Sequence, residues 1–205
     1  TTEIYTLSLH DALPISLSKF SAAAIGPGCR VCPGTRALAG RLLKSESPLV
    51  IDADGLNVLA PGIPRRETPT IVTPHPGEMA RLLACTVQDV LAHPLEICRR
   101  GAKAWGCVVV LKGATTCISG PTGDAALNIT GTPGLATGGS GDILTGLILG
   151  LLAQKTEPFS AACTAAWLLG TASELAAEEM GIVSQLPRDV LAAIPKAIDS
   201  LWHRQ

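Results

Sequence analysis

The chain has 205 residues, of which 47% are hydrophobic, 3% aromatic and 16% charged. This length and composition suit one compact domain with a sizeable core and exclude a disordered or fibrous protein. The net charge is −1, from 16 basic and 17 acidic residues, and no basic run stands out, which argues against nucleic acid or an anionic membrane as the partner and favours a small ligand.

The segment TTEIYTLSLHDALPIS at residues 1–16 has no clear helical or strand period. It also lacks the basic start, the long apolar stretch and the small-residue cleavage site of a secretory signal. Residues 1–15 resemble the translation of a common sequencing-adapter oligonucleotide. We therefore predict that residues 1–16 are a non-native segment, that natural sequence starts near Leu17, and that Tyr5, Leu7 and Leu9 pack poorly against the domain. The alternative is an ordinary terminal arm.

Short apolar runs alternate with helical stretches through the next part of the chain. The runs lie in AAAIGPG, PLVIDAD, TPTIVTPHPGE and CVVVLKG, and continuous apolar runs are typical of parallel strands that are buried on both faces. Between the first two runs, Ala37, Leu38, Leu42 and Leu43 recur at helical spacing. Helices are also predicted for EMARLLA and for residues 94–105. The pattern is that of βαβ units, whose functional residues collect at the carboxyl ends of the strands.

The pattern changes after Lys112. TTCIS and DAALNIT are separated by the turn signal GPTGD, which predicts a β-hairpin beside the sheet. Three helices are then expected, at about residues 141–154, 158–180 and 187–202, the second with Gly181 as its C-cap. The run ILTGLILGLLA is too short to cross a bilayer and is predicted to be a buried helix. With no internal repeat or linker, the expected fold is one α/β domain.

Seven cysteines, an odd number, are spread along the chain. Several lie inside apolar runs such as GCVVVL, where a thiol acts as a small hydrophobic group. This usage favours a reducing, cytoplasmic location. Cys29 and Cys32 form a C-x-x-C pair, but no second Cys or His pair accompanies it, so the pattern favours neither a metal site nor a redox site.

The stretch GTPGLATGGSGD at residues 131–142 places one carboxylate after a cluster of glycines and before a long apolar run. Glycine allows positive φ and brings N–H groups close to a ligand, and a helix N-terminus adds about half a positive charge. Gly138 to Gly141 are therefore predicted to bind an anion, with Asp142 as a base for an attacking hydroxyl. Phosphoryl transfer needs this combination. The alternative is a glycine-rich helix start with Asp142 as a capping group.

Polar residues also follow the other predicted strands, and all of them are expected to face one edge of the sheet. They are Asp52, Asp54 and Asn57 after the second strand, Thr73, His75 and Glu78 after the third, and Lys112 with two hydroxyls after the fourth. His75 lies between two prolines in a stiff loop that suits a positioned contact, although a loop histidine is usually only solvated. Glu78 either holds a metal ion through water or is simply an acidic group in the first helical turn. Lys112 either reaches a phosphate or merely ends a strand.

DADGLN, TPHPGEMARLL, VVLKG and PGLATGGSGDILTGLILGLLAQ resemble, in order and spacing, the ADP- or ATP-dependent NAD(P)H-hydrate dehydratases of the ribokinase-like superfamily. The similarity extends over roughly residues 22–200. The G-x-G-D element alone is shared with many ribokinase-like kinases, whereas PHPGE together with ATGGSGD is strongly specific. The resemblance implies a ribokinase-like three-layer α/β/α domain with a mainly parallel central sheet, lacking its N-terminal part. Residues 17–205 would then be a dehydratase domain that is incomplete at its N-terminus.

The family restores NADH or NADPH from the S epimer of the hydrated dinucleotide, through phosphorylation of the ring hydroxyl and elimination of phosphate. By this resemblance Asp142 is the base, and the N–H groups of Gly139, Ser140 and Gly141 form the anion hole. The implied nucleotide contacts are Lys112, Gly113, Ala114, Thr115, Thr116 and Gly141. The implied hydrate contacts are Gly28, His75 and Asp142. The predicted cofactor is Mg²⁺ with Glu78 as its ligand, the co-substrate is ADP or ATP, and the full-length protein is expected to be a homo-oligomer.

Two positions depart from the family pattern. GPGCR stands where family members often have GPGLG, and Leu169 in AWLLG stands where a histidine is common. Two other functions remain as alternatives. A small-molecule kinase of the same superfamily, of the hydroxyethylthiazole or pyridoxal type, would share the anion hole but would not be expected to carry PHPGE. An inactive nucleotide-binding fragment is the second, because the first glycine-rich segment of the family is absent.

Overall fold

The computed structural model describes residues 20–202. The predicted non-native segment and its residues Tyr5, Leu7 and Leu9 lie outside this range. The strands of the described chain are β1 (Ala23–Ile25), β2 (Leu49–Ile51), β3 (Thr70–Val72), β4 (Val108–Leu111), β5 (Thr116–Ser119) and β6 (Ala125–Asn128). Its α-helices are α1 (Pro33–Leu43), α2 (Ala53–Leu59), α3 (Pro76–Leu83), α4 (Val87–Ala92), α5 (Pro94–Trp105), α6 (Ser140–Ala153), α7 (Pro158–Met180) and α8 (Pro187–Trp202).

The strands form one sheet in the order β1-β2-β3-β4-β5-β6. The first four strands pair in parallel, with Val50 of β2 opposite Ala24 and Ile71. The strands β5 and β6 form an antiparallel hairpin that pairs with β4 in the antiparallel sense. The mainly parallel sheet and the hairpin beside it confirm the prediction from the apolar runs and the turn signal.

Helices cover both faces of the sheet and make three layers. Because consecutive parallel strands add in one direction, right-handed crossovers place α1 to α5 on the same face, and α6 to α8 cover the other. Leu49 and Ile51 point into the core beneath α1 to α5, whereas Val50 belongs to the core beneath α6 to α8. This alternation explains why β2 and β4 are apolar at every position, since both of their faces are buried.

Local sequence signals set the ends of the long helices. α5 begins at Pro94 and ends before Gly106, which has φ +67°. Glu157 accepts the N–H groups of Phe159 and Ser160 at the start of α7, and Gly181 is its C-cap. These boundaries and that of α8 agree with the prediction. Within residues 20–202 no helix is long and apolar enough to span a membrane.

Two short helices, α2 and α4, were not predicted. DADGLN was expected to be a loop, but only Asp52 precedes α2, and Asp54 and Asn57 lie within that helix of 7 residues. α4 has 6 residues and is held by a reciprocal capping box between Thr86 and Asp89. Helices this short span about two turns, so their apolar positions show no recognisable period.

α6 was predicted to be a buried helix, but it buries one face only. Leu144, Ile148 and Leu152 pack into the core, whereas Gly146 and Gly150 are exposed. Its high apolar content therefore overstates its burial.

Candidate active site

The carboxyl ends of the parallel strands gather the predicted polar residues at one edge of the sheet. Asp52 directly follows β2, Thr73 follows β3 and Lys112 follows β4. β6 runs antiparallel to β5 and therefore parallel to β4, so the chain leaves β6 at the same edge. The segment from Ile129 to Gly139 then leads into α6, whose N-terminus completes the site.

The residue that follows β1, Gly26, lies very close to the backbone of Asp52. Gly26 has φ +130°, and a methyl group added there would lie 1.7 Å from the carbonyl oxygen of Asp52. The Asp52 N–H donates to the Ile25 carbonyl at 3.0 Å, which fixes the two strand ends together. Only glycine fits this approach, so Gly26 determines where the loop that carries Gly28 leaves the sheet.

An ion pair between Asp52 and Lys112 lies at the centre of the edge. Lys112 Nζ donates to Asp52 Oδ1 at 2.7 Å, and Thr145 Oγ1 of α6 donates to Asp52 Oδ2 at 3.1 Å. The Asp52 side chain is 2% exposed and that of Lys112 is 24% exposed. A buried carboxylate without partners costs several kcal/mol. Asp52 therefore depends on both contacts, and it holds the ammonium group in one place.

His75 and Glu78 form a reciprocal capping box at the start of α3. His75 Nδ1 accepts the N–H groups of Gly77 at 3.0 Å and Glu78 at 3.4 Å, and Glu78 Oε2 accepts the His75 N–H at 2.8 Å. Because Nδ1 is an acceptor, the neutral ring carries its proton on Nε2. The ring is half exposed, so Nε2–H is available to a ligand. The capping box therefore explains how the His75 ring is held in position.

Glu78 is buried within this capping box, with Oε1 3.4 Å from His75 Nε2 and Oε2 3.9 Å from Lys112 Nζ. Glu78 does lie in the first turn of α3, and this position is compatible with both of the predicted roles. Within the described part of the chain, no group of three or more His, Cys, Asp or Glu side chains is arranged to hold a metal ion. A metal role for Glu78 stays a prediction.

The glycine-rich stretch ends in an open helix start. Gly139 is the N-cap with φ +104° and provides no side-chain cap. The Ser140 N–H donates to the Thr137 carbonyl at 3.2 Å, so it is already engaged. The N–H groups of Gly141 and Asp142 have no acceptor among residues 20–202. Of the three predicted donors only Ser140 N–H is engaged, since Gly139 N–H likewise has no acceptor among residues 20–202. Asp142 adds an unengaged N–H group in the first turn of this 14-residue helix.

Asp142 is exposed at this helix start, and its carboxylate makes no hydrogen bond or ion pair within residues 20–202. The alternative in which Asp142 caps α6 is therefore wrong, because the backbone of Gly139 occupies the cap position and no side chain bonds there. A carboxylate in the first turn is stabilised as the anion by the helix dipole. It is free to accept a proton from a bound ligand.

The helix start lies directly against the ion pair. A methyl group added at Gly141 would lie 3.5 Å from Asp52 Oδ2 and 3.6 Å from Lys112 Nζ. Lys112 thus lies between the start of α6 and Glu78, and Glu78 in turn contacts His75. The structure confirms that His75, Lys112 and Asp142 lie at one edge of a single sheet.

The remaining predicted residues surround this centre. Gly113, Ala114 and Thr115 form an exposed turn between β4 and β5, and Thr116 begins β5. Gly28 is exposed in the loop after β1 with φ +69°. Asp54 and Asn57 bond to each other, and Asn57 Oδ1 accepts from Arg81 at 3.0 Å. The first of these contacts lies within α2 and the second ties α2 to α3, and neither reaches the ion pair.

Two features of the site were missed from sequence. Thr145 lies within an apolar helical run, and only its spacing of four residues from Gly141 places both on the face towards Asp52. The Thr73 hydroxyl was predicted to lie in the polar loop, but it is fully buried and has no hydrogen-bond partner among the described residues. Nothing in the sequence indicates that Thr145 bonds Asp52 or that the Thr73 hydroxyl is buried.

The chain matches known proteins over most of its length. The family model described as NAD(P)H-hydrate dehydratase matches residues 3–196. The bifunctional NAD(P)H-hydrate repair enzyme of Moorella thermoacetica is 42% identical over 217 aligned residues, which cover 98% of this chain and 41% of that protein. The chain therefore spans less than half the length of this relative.

Solved structures agree with the fold. The ADP/ATP-dependent NAD(P)H-hydrate dehydratase from Bacillus subtilis, co-crystallised with ATP and Mg²⁺, matches with a TM-score of 0.82 at 35% identity, over 88% of this chain and 64% of that one. A ribokinase-like superfamily protein from Enterococcus faecalis matches with a TM-score of 0.81 at 25% identity, over 95% of this chain and 69% of that one. The predicted ribokinase-like fold is confirmed.

Proposed function

Because the chain belongs to the NAD(P)H-hydrate dehydratase family, we propose that it converts the S epimer of hydrated NADH or NADPH back to the reduced dinucleotide, with ADP or ATP as co-substrate. One observation carries this proposal above all. The N-terminus of α6 presents the unengaged N–H groups of Gly141 and Asp142 beside Lys112 and next to the free carboxylate of Asp142. This combination suits the transfer of a phosphoryl group to a hydroxyl.

The proposed reaction has two stages. Asp142 takes the proton of the ring hydroxyl, whose oxygen attacks the terminal phosphorus of the nucleotide, and the bond from that phosphorus to the bridging oxygen breaks. ADP thereby yields AMP, or ATP yields ADP. The carbon–oxygen bond of the phosphate ester then breaks as the ring nitrogen donates its electron pair, and loss of a proton from the neighbouring carbon restores the reduced ring. The net change is loss of water from the hydrate and hydrolysis of one phosphoanhydride bond.

Each residue has a proposed part in this scheme. The N–H groups at the start of α6 face the charge that develops on the transferring phosphoryl group. Lys112, held by Asp52 at 2.7 Å, contributes positive charge on the nucleotide side, and the exposed turn at residues 113–115 follows it. The Nε2–H of His75 donates to the hydrate. Gly28 borders the hydrate at the end of β1.

We propose that one acidic side chain of the site contacts Mg²⁺. Magnesium is commonly held by one or two carboxylates together with nucleotide phosphates and waters, so the lack of a three-ligand group among the described residues is compatible with an ion carried by the nucleotide. Asp52 is committed to Lys112 and Thr145. Glu78 Oε2 accepts the His75 N–H, whereas Oε1 accepts no hydrogen bond within residues 20–202. Glu78 Oε1 is therefore the proposed contact, through water, and the ion would neutralise phosphate charge.

A ribokinase-like small-molecule kinase would share the helix start and Asp142. No observation in the structure favours it, because the site-bearing motifs belong to the family already described. We also propose a cytoplasmic location, since all seven cysteines are free thiols, as is typical of a reducing compartment. Self-association into a homo-oligomer is proposed on the family resemblance alone.

The function is tested by incubating the protein with hydrated NADH and either ADP or ATP, while the absorbance of the reduced nicotinamide ring is followed. We expect restored NADH together with one AMP, or one ADP, for each ring repaired. The Asp142→Asn variant serves as the matched control. Nucleotide consumption without restored NADH, with a phosphorylated small molecule as the product, would support a kinase instead.

A further inference from the structure

A buried glutamine outside the predicted site holds the chain that leads into α6. Gln185 is 3% exposed. Its Oε1 accepts from Thr132 Oγ1 at 2.9 Å and from Ser173 Oγ at 3.1 Å, and its Nε2 donates to the Ser173 carbonyl at 2.6 Å. One carboxamide thus connects the segment before α6, the helix α7 and the segment before α8.

The contacts fall on both ends of residues 131–139, here called the glycine loop. A methyl group added at Gly134 would lie 2.1 Å from Gln185 Oε1, and one added at Gly139 would lie 3.2 Å from Pro187 Cγ. At the entry of the loop, the Gly131 N–H donates to Glu174 Oε1 at 2.8 Å. Two glycines therefore allow residues 185–187 to lie directly across the loop.

Between these anchors the loop is open to a ligand. Ala136, Thr137 and Gly138 are exposed, and the unengaged N–H groups of the α6 first turn follow immediately. Ordering a glycine-rich segment costs more backbone entropy than ordering other residues. A loop that is already anchored does not lose that freedom when the ligand binds, which favours affinity and accurate placement.

We propose that Gln185 is a positioning residue: it fixes the glycine loop against α7, so that the N–H groups at the start of α6 face the transferring phosphoryl group. Its effect on the loop stands on the structure alone. Its effect on turnover rests on the proposed function. Because Gln185 and Pro187 immediately precede or begin α8, the C-terminal helix is coupled to the site through them.

The test uses Gln185→Met, which keeps the side-chain volume and removes all three hydrogen bonds. Gln154→Met is the matched control, because Gln154 is exposed at the other end of α6 and its side chain bonds only the Gly150 carbonyl among the described residues. Hydrogen–deuterium exchange of residues 131–142 and ADP affinity are measured without the hydrate. Turnover and the KM for the hydrate are measured with it, at a temperature where circular dichroism shows each variant to be folded.

In Gln185→Met we expect exchange of residues 131–142 to accelerate by about 10-fold or more and ADP affinity to fall. Turnover should fall by about 10-fold or more with the hydrate KM within about 2-fold, as expected when donors to the transition state are displaced. Gln154→Met should match the parent in all four measurements. A purely structural glutamine would lower the melting temperature but leave the kinetics of the folded protein unchanged, which would overturn the proposal.

A second variant keeps the proposal testable if Gln185→Met does not fold. Thr132→Val removes the hydroxyl that Gln185 accepts from, together with its contacts to Ser173 Oγ and the Gly134 N–H, and should also loosen the glycine loop. Because the two side chains share one network, the effect of the double variant should be smaller than the sum of the two single effects. Additive effects would overturn the proposal, as would unchanged exchange of the glycine loop. If the parent repairs no hydrated NADH, the proposed function fails, and loop exchange together with ADP affinity still decides the role of Gln185.

Discussion

Asp52 and Asp142 carry the same chemical group in opposite environments. Asp52 is buried and bound by Lys112 and Thr145, whereas Asp142 is exposed and makes no bond within residues 20–202. The oxygens of Asp52 are occupied by their partners, whereas those of Asp142 can contact the hydroxyl of a ligand. The environments therefore separate the two carboxylates: Asp52 holds Lys112, and Asp142 is open to a ligand.

The first prediction concerns Asp142→Asn. Because the carboxylate neither caps α6 nor bonds another group of the described chain, the free energy of unfolding should change by less than about 1 kcal/mol, the size of a helix-dipole effect. Turnover should fall by about 10²- to 10⁴-fold, which is typical for loss of general-base catalysis, while ADP still binds. Steady-state kinetics and urea unfolding measure the two effects. Repair of hydrated NADH at the parent rate would remove the proposed mechanism.

The second prediction concerns Lys112→Ala. ADP affinity should fall while hydrate affinity stays nearly intact, because the proposed sites of the two ligands lie in separate halves of the cleft. The structure adds a cost of about 2–3 kcal/mol in the free energy of unfolding, since buried Asp52 loses its partner while the Lys112 side chain is partly exposed. Adding Asp52→Asn should recover stability but not ADP affinity. Loss of hydrate affinity with unchanged ADP affinity would reverse the assignment.

The third prediction concerns thiol reactivity. Hydrogen bonds from the Thr35 side chain and backbone lower the pKa of Cys32, which caps α1, whereas burial raises the pKa of Cys98 and of Cys107 to about 12. Because the thiolate is the nucleophile, Cys32 should be alkylated by iodoacetamide well before Cys98 and Cys107 at neutral pH. Peptide mass spectrometry over time follows each site. Equal rates for the three thiols in the folded protein would contradict this.

Helices α6 and α7 each contain an interior glycine, and the two glycines have different surroundings. Gly146 of α6 is exposed with open space around it, whereas a methyl group added at buried Gly170 of α7 would lie 2.0 Å from Thr130 Oγ1. Gly170 thus allows the segment after β6 to cross α7 closely. Gly146 has no such contact and only lowers the helical propensity of α6.

The fourth prediction is that alanine at these two positions changes stability in opposite directions. Gly146→Ala should stabilise the protein by about 0.5–1 kcal/mol, because alanine loses less backbone entropy in a helix. Gly170→Ala should destabilise it by about 1–3 kcal/mol through overpacking. Urea unfolding of the two variants gives the comparison. A stabilising Gly170→Ala would show that α7 and the segment after β6 separate easily.

At the scale of the whole molecule, the sheet separates two cores. The N-termini of α3 and α6, which lie on opposite faces, meet at one edge of the sheet. α1 to α5 pack on one face and α6 to α8 on the other. The ion pair of Lys112 and Asp52, with its contact to Thr145, joins the sheet edge to α6. A ligand at the α6 N-terminus would therefore contact both the sheet edge and the second helical layer.

The fifth prediction is a thermal stabilisation by nucleotide. A ligand that binds only the folded state at 100 times its Kd stabilises it by about 2.7 kcal/mol, so ADP or ATP should raise the melting temperature by several degrees. Adenosine, which lacks the phosphates, should raise it much less. Differential scanning fluorimetry makes the measurement. An equal shift with adenosine would place the binding energy outside the anion site.

The sequence alone determined the α/β class and the edge of the sheet at which the polar residues gather. Continuous apolar runs indicated buried parallel strands, and helical spacing with Pro and Gly at the ends predicted α5, α7 and α8. Because parallel strands end at one edge, the polar residues after β3 and β4, and Asp142 after the glycines, were correctly expected to lie together. Periodicity and turn chemistry are local properties, and they survive folding unchanged.

Tertiary structure decided which of those groups are free. It committed Asp52 to Lys112 and Thr145, closed the capping box of Glu78 with His75, and engaged the Ser140 N–H with Thr137. It also placed Gln185 over Gly134, across a separation of 51 residues along the chain. Such pairings depend on distances between elements that are remote in sequence. Local pattern holds no information about them, because the same residue types are compatible with many contacts until the layers pack.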